Sequence, residues 1–286
     1  MLKTLDVSML GLPHDLRTLA PLCRRYGIPA LSAAGNLLED AQTARETDAV
    51  LRDNGISWGL MPMPADFYSW ELGDEAFEEA LKALERRAAA AEALGIRYAY
   101  NHVWSSGPRP YDENFEWHVR RLRRVSRILH EHGIRYGLEF LGPHELQRLQ
   151  PHPFIHTLAG ILALADAADT PVGVAFDTFH WYCSSNGDRD ALLYMEQHID
   201  RLVMLHLNDA VAGVPYDEQH DLERRLPMET GIIDSREILA RFASKGSDAL
   251  YMIEPFEPGR THFHALSAED AVREAVEIFA RVEGKS

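Results

Sequence analysis

Cysteine is scarce: the 286 residues hold two, Cys23 in a helical pattern and Cys183 in an expected loop, too few for a disulfide framework. Long apolar runs are missing as well. No stretch approaches the ~18 residues of a membrane span, and Met1-Leu2-Lys3-Thr4 leads straight into a strand pattern rather than a signal peptide. A cytoplasmic chain with no membrane partner is therefore expected. Positive charge is in deficit, with 29 Lys and Arg against 44 Asp and Glu and a formal charge of −15. Such a surface repels phosphodiester backbones, so no nucleic-acid partner is expected. The basic run Arg120-Arg121-Leu122-Arg123-Arg124 falls mid-helix, where a solvated face pairing with acidic neighbours is expected. A Gly-rich phosphate cradle is also lacking, which points to a non-phosphorylated substrate.

What is present is ordinary in composition, 46% hydrophobic and 26% charged, and strongly periodic in arrangement. Strand-like segments open at Leu5–Leu10, Pro29–Ala34, Ser57–Pro62 and Tyr98–Trp104, and four more end near Phe140, Asp177, Leu207 and Glu254. Helical patterns alternate with them, from Asp15 to Tyr26, Asp40 to Asn54, Asp74 to Leu94, Asn114 to His132, Thr157 to Ala168, Asp188 to Asp200, Ser235 to Lys245 and Ala268 to Val282. Gly27, Gly55, Gly95, Gly133 and Gly246 stand where left-handed caps would stop five of these helices. Alternating strand and helix demands a parallel sheet with right-handed crossovers, and eight units close it into a barrel. The expected fold is a single (β/α)8 TIM barrel over residues 1–286; an open doubly wound sheet is the competing architecture.

Four of the strand segments end in a side chain able to hold a metal. They read Gly137-Leu138-Glu139-Phe140, Phe176-Asp177-Thr178-Phe179-His180, His206-Leu207-Asn208-Asp209 and Ile253-Glu254-Pro255-Phe256. A buried carboxylate without compensation is costly, so Glu139, Asp177 and Glu254 beside His206 make sense if one cation collects them. Three oxygens and one nitrogen form a hard donor set, which favours Mn2+, with Mg2+ or Co2+ possible, one ion per chain. Two carboxylates on strands facing across a metal-held substrate could supply a base on one side and an acid on the other. Glu139 and Glu254 are the candidates for that acid/base pair.

At these residues the chain resembles the xylose isomerase-like barrel superfamily, in particular sugar isomerases and epimerases such as ketose 3-epimerases and inosose isomerase. The resemblance implies that Glu139, Asp177, His206 and Glu254 hold a divalent cation and that a keto-sugar or inosose is rearranged through a metal-stabilised enediolate. It also implies that His180, Glu145 and an arginine of the long loop after His206, Arg224 or Arg225, contact substrate. His102, at a similar height on the fourth strand, is a further candidate. Trp181, Trp104 and Phe256 are candidates for an apolar wall against a sugar ring. That long loop departs from the family's Pro-Gly-x-Gly turn. The same apparatus would serve a keto-sugar dehydratase or 3-keto-glycoside lyase. An apurinic-site endonuclease shares two of the motifs but fits poorly, because Met61-Pro62-Met63-Pro64 supplies no third-strand histidine and the loop has no Asp-x-His pair. A homo-oligomer is compatible with all of these readings.

Overall fold

A computed structural model describes residues 1–13, 15–39 and 41–285. In chain order the strands are β1 (Leu2–Leu5), β2 (Ala30–Leu31), β3 (Ser57–Trp58), β4 (Tyr98–Val103), β5 (Ser106–Gly107), β6 (Arg135–Phe140), β7 (His152–Pro153), β8 (Gly173–Asp177), β9 (Leu202–Leu207) and β10 (Leu250–Ile253). Eight of them form one sheet in the order β3-β2-β1-β10-β9-β8-β6-β4, every pairing parallel. A parallel bridge from Leu60 to Tyr98 joins the two ends, so the sheet closes. The fold is the α/β barrel, not the open sheet; β5 and β7 pair antiparallel as a separate ribbon.

The helices form the outer layer: α1 (Leu16–Tyr26), α2 (Ala41–Asp53), α3 (Asp74–Leu94), α4 (Tyr111–Glu131), α5 (His144–Gln147), α6 (Leu158–Asp166), α7 (Thr178–Ser185), α8 (Arg189–Gln197), α9 (Ser235–Ser244), α10 (Gly259–His264) and α11 (Ala268–Val282). Capping sets several of the helix ends. Asp15 accepts from Arg17 N at the start of α1, and the Gly27 N–H, at φ 72°, donates to the carbonyls of Cys23 and Arg24 in the left-handed conformation cheap only for glycine. Gly55, Gly95, Gly133 and Gly246 share that conformation. The expected start of α2 at Asp40 lies outside the described residues.

Several boundaries differ from the sequence reading. β1 ends at Leu5, because the Asp6 side chain accepts from Ser8 N and Met9 N and folds the next residues into a turn. Leu10 is buried all the same, which is why its apolar pattern read as strand. α4 begins at Tyr111 rather than Asn114. Cys183 sits in helix α7, not in a loop. The basic run is split: Arg123 and Arg124 pair outside with Asp169 and Glu78, but Arg121 is buried between the rings of Phe77 and Trp117, at 4.4 and 4.0 Å, and donates to Phe67 O and Leu72 O. An arginine with its donors satisfied and its stem apolar belongs in a core as readily as on a surface.

Two apolar layers result. Ala175, Met204, Leu250 and Met252 meet Leu60 inside the barrel, while the larger cluster lies between sheet and helices. The register fixes the height of the polar ends. His102 on β4 lies opposite Glu139 on β6, and His206 on β9 lies opposite both Asp177 and Met252. A bulge at Val174/Ala175 is decisive here, since the Val174–Leu202 pairing continued without it would carry Asp177 to the level of Leu205.

Candidate active site

The carboxyl ends of β6, β8, β9 and β10 bring the four metal-capable side chains into one buried cluster. Glu139, Asp177, His206 and Glu254 are all buried. Glu139, Asp177 and His206 each offer a ligand atom within 4.8 Å of the others. Glu254 stands beside this trio, its Oε1 3.9 Å from His206 Nδ1. His206 Nδ1 lies 2.7 Å from Glu139 Oε1. The other Glu139 oxygen, Oε2, is buried with no hydrogen-bond partner, and His102 Nε2 faces it at 3.0 Å. A buried, unsatisfied carboxylate oxygen beside two more carboxylates and an imidazole is what a divalent cation would satisfy.

Asp177 is held from two sides. Its Oδ1 accepts from Phe179 N at 2.6 Å, as the N-cap of α7, and its Oδ2 accepts from Arg224 Nη1 at 2.8 Å. Arg224 also reaches Glu254 Oε2 at 3.1 Å, with its guanidinium 4.6 Å from the Phe179 ring and 4.0 Å from the Phe256 ring. The amide of Asn208, oriented with its oxygen 3.1 Å from Arg224 Nη1 and its nitrogen 2.8 Å from the Glu254 carbonyl, closes the ring of contacts. Gly142 lets the loop after β6 come close, since a Cβ there would lie 2.0 Å from His180 O.

The charges divide the carboxylates. Burial works to raise the pKa of Glu139, but His206 and His102 overcome it and hold the group well below the usual range. Burial wins at Glu254 and pushes it up to about 7, against His206 and Arg224. His206 itself is lifted to about 10 by Glu254 and Glu139 in spite of its burial. The two glutamates are thus shifted in opposite directions by their surroundings.

The remaining candidates sort by position. The structure brings His180 and Arg224 to the cluster: both are buried, and Arg224 Nη2 lies 3.3 Å from His180 Nε2. His102 joins them with its side chain open at the mouth, 43% exposed. Arg225 turns away to the loop, where its Nη1 donates to Arg224 O and its Nε faces Glu229 at 3.8 Å. Glu145 is engaged by the long loop, accepting from Asp221 N at 2.6 Å and meeting His220 Nδ1 at 2.7 Å. Trp181 points to the outer layer, donating to Asp188 O at 2.7 Å and lying against Phe176 and Gly187. Its place in the apolar wall is not where the fold puts it, because its neighbour His180 takes the inward side of α7. Trp104 stays near the mouth, donating to Asp66 Oδ2 and packed on Trp70.

Sequence reasoning passed over three contributors. Asp209, fully buried, accepts from Thr230, Gly231, Ile233 and Ala210 N and so anchors the long loop at its base. Asn208 was readable only as part of the His-x-Asn-Asp string. Asp221, three residues before Arg224, takes the other end of that guanidinium at 2.9 Å.

The sequence model of the family described as "Xylose isomerase-like TIM barrel" matches residues 20–282. The chain belongs to that family. Solved structures share the barrel at low identity. A xylose isomerase domain protein from Alicyclobacillus acidocaldarius is 23% identical with a TM-score of 0.81, over 99% of this chain and 98% of its own. An IolI protein with a bound zinc atom is 17% identical with a TM-score of 0.76, over 99% and 98%. A D-psicose 3-epimerase from Clostridium cellulolyticum H10, solved with D-tagatose, is 16% identical with a TM-score of 0.72, over the full length of both chains. No curated protein matches the sequence. Among the described residues no helix of this family member is long and apolar enough to cross a membrane.

Proposed function

We propose that this barrel is a divalent-metal-dependent isomerase or epimerase of a non-phosphorylated keto-sugar or inosose, working as one domain over residues 1–286 with one cation per chain. The observation that carries the reading is the buried cluster in which Glu139, Asp177 and His206 each offer a ligand atom within 4.8 Å of the others, with Glu254 facing the same imidazole. Glu139, Asp177, His206 and Glu254 would hold the cation, with Mn2+ the best match to the donors and Mg2+ or Co2+ next. When bound, it supplies Lewis-acid polarisation of a carbonyl oxygen.

The chain's own residues supply the rest. Glu139, ionised, takes the proton from the carbon next to the carbonyl. Glu254 returns one to the same carbon from the opposite face in an epimerisation, or to the neighbouring carbon in an isomerisation. Arg224, its five N–H groups already committed to Asp177, Glu254, His180 and Asp221, holds the carboxylates in place, with His180 and the Phe256 ring beside it on the substrate's wall. The epimerase and the zinc-bound neighbour support this reading. The test is incubation with Mn2+ and a panel of ketohexoses and inososes in heavy water. Deuterium appearing on carbon in an unfragmented product supports the reading; an enone product absorbing in the ultraviolet would assign elimination instead.

A further inference from the structure

The main helices pack along their neighbours around the barrel, α4 on α6 and α8 on α9 among them, but α6 and α8 do not close on each other. The gap between them is a cavity of about 580 Å³, within the ~300–1,000 Å³ of small-molecule sites. Leu158 and Leu162 of α6, Tyr194 of α8 and the buried rings of Phe140 and Trp181 line it. The Trp181 N–H is already spent on Asp188 O at 2.7 Å, so the indole offers the cavity an apolar surface. The charge at this lining has one sign. Its ionisable side chains are Asp166, Asp188 and Asp190, and no lysine, arginine or histidine joins them. Asp166 is matched by Arg201 at 2.9 Å. Asp188 caps α8 by accepting from Asp190 N, and neither of these two carboxylates has a cationic partner among the described residues. An anionic ligand is repelled here and a bare sugar finds few hydrogen bonds, whereas an ammonium on an apolar body is drawn by both the carboxylates and the aromatic rings.

We propose that the cavity between α6 and α8 is a binding site, separate from the active site, for a small organic cation, with its alkyl or aryl body among Leu158, Leu162 and Trp181 and its ammonium at Asp188 and Asp190. The site lies behind the carboxylate cluster. Phe140 follows Glu139 on β6, and Trp181 follows His180 on α7; in each pair the first side chain faces the cluster and the second the outer apolar layer. A second copy of this chain is the other occupant to weigh, since Leu193 and Tyr194 are 46% and 38% exposed on α8. A two-fold pairing through this face would set the acidic rim against its own copy, which favours the cation.

The experiment reads the cavity through its own indole. Nitrogen-15 spectra of the whole protein at neutral pH follow the Trp181 N–H, assigned by its loss in Trp181→Phe, while three probes with one body are added: naphthylethylammonium, naphthylethanol and naphthylpropionate. The ammonium should shift that signal with an affinity about three- to tenfold above the alcohol, the worth of exposed charge pairing, and the carboxylate should bind most weakly. Asp188→Asn with Asp190→Asn keeps a capping side chain and should bring the ammonium down to the alcohol. Ala159→Phe with Ala163→Phe, both exposed on the cavity side of α6, should fill the space and abolish the shift for every probe. No shift with the ammonium up to its solubility limit overturns the proposal, as do equal affinities for the three probes or ammonium binding that survives in the filled variant. A dimer in sedimentation that the filled variant disperses would give this face to a second copy and overturn it too. Should the filled variant misfold, the aspartate pair decides: an undiminished preference for the ammonium there refutes the assignment.

Discussion

The two halves of the barrel are built differently. In the first, β2 and β3 are two residues each and the sheet closes through a single bridge at Leu60, so helices and loops carry most of the structure. In the second, β6, β8, β9 and β10 run four to six residues and each delivers a charged or ionisable side chain at its carboxyl end. Longer ladders hold the backbone on both sides of each polar residue. That rigidity is what allows three carboxylates to be gathered in the interior, where any loose neighbour would let water or a counter-ion disperse them. The first half tolerates short strands because it has no such cluster to confine.

The contrast can be broken most sharply at the acid/base pair. Glu139→Gln and Glu254→Gln should each lower solvent-deuterium exchange by ~10²–10⁴-fold with the fold intact by circular dichroism; full exchange in either variant removes that residue from the chemistry. Arg224→Ala should cost the metal-free protein about 3–5 kcal/mol in urea, because Asp177 and Glu254 lose their buried cation. Added Mn2+ should recover much of that loss, and failure to do so would separate the carboxylates from metal binding. In the other half, Leu31→Ala should cost about 2–5 kcal/mol as a cavity in a fully buried site. Metal affinity should stay unchanged there, and a parallel loss would show that the two halves are not independent.

A pH test isolates the outer layer from both. His118 on α4 is buried, and burial lowers its pKa from 6.5 to about 3. Its folded form is neutral while the unfolded chain takes up a proton below 6.5, so its stability contribution is complete above that pH and lost as pH falls toward 3. Urea midpoints at about pH 5 and pH 8 should diverge in the wild type and converge in His118→Phe; an unaltered slope would reassign the acid sensitivity to other groups. The smallest effect belongs to Arg124→Ala, whose exposed pair with Glu78 is worth under about 1 kcal/mol by thermal melting.

Much of this was legible before any coordinates. The apolar strand segments ending in Glu139, Asp177, His206 and Glu254 carried their own evidence, because a charge that closes a buried strand needs a partner. The five glycine stops were legible for the same kind of reason, a backbone conformation that one residue type adopts cheaply. The turn at Asp6 was missed because Leu5, Val7 and Leu10 are all buried and an apolar pattern does not say whether the backbone beneath it is extended. Trp181 and Arg121 were misplaced because amphipathic side chains read alike on either side of a helix.

Local chemistry in the sequence determined the alternation of strand and helix, the stops, and which four residues would stand at strand ends. Only the closed barrel decided that they stand at one height, through parallel register and the bulge at Val174/Ala175. It also decided that Arg224 faces inward and Arg225 outward, and that Asp221 reaches Arg224. Those are choices of side-chain direction on a long loop, and they follow from contacts between segments far apart in the chain, which no local pattern encodes.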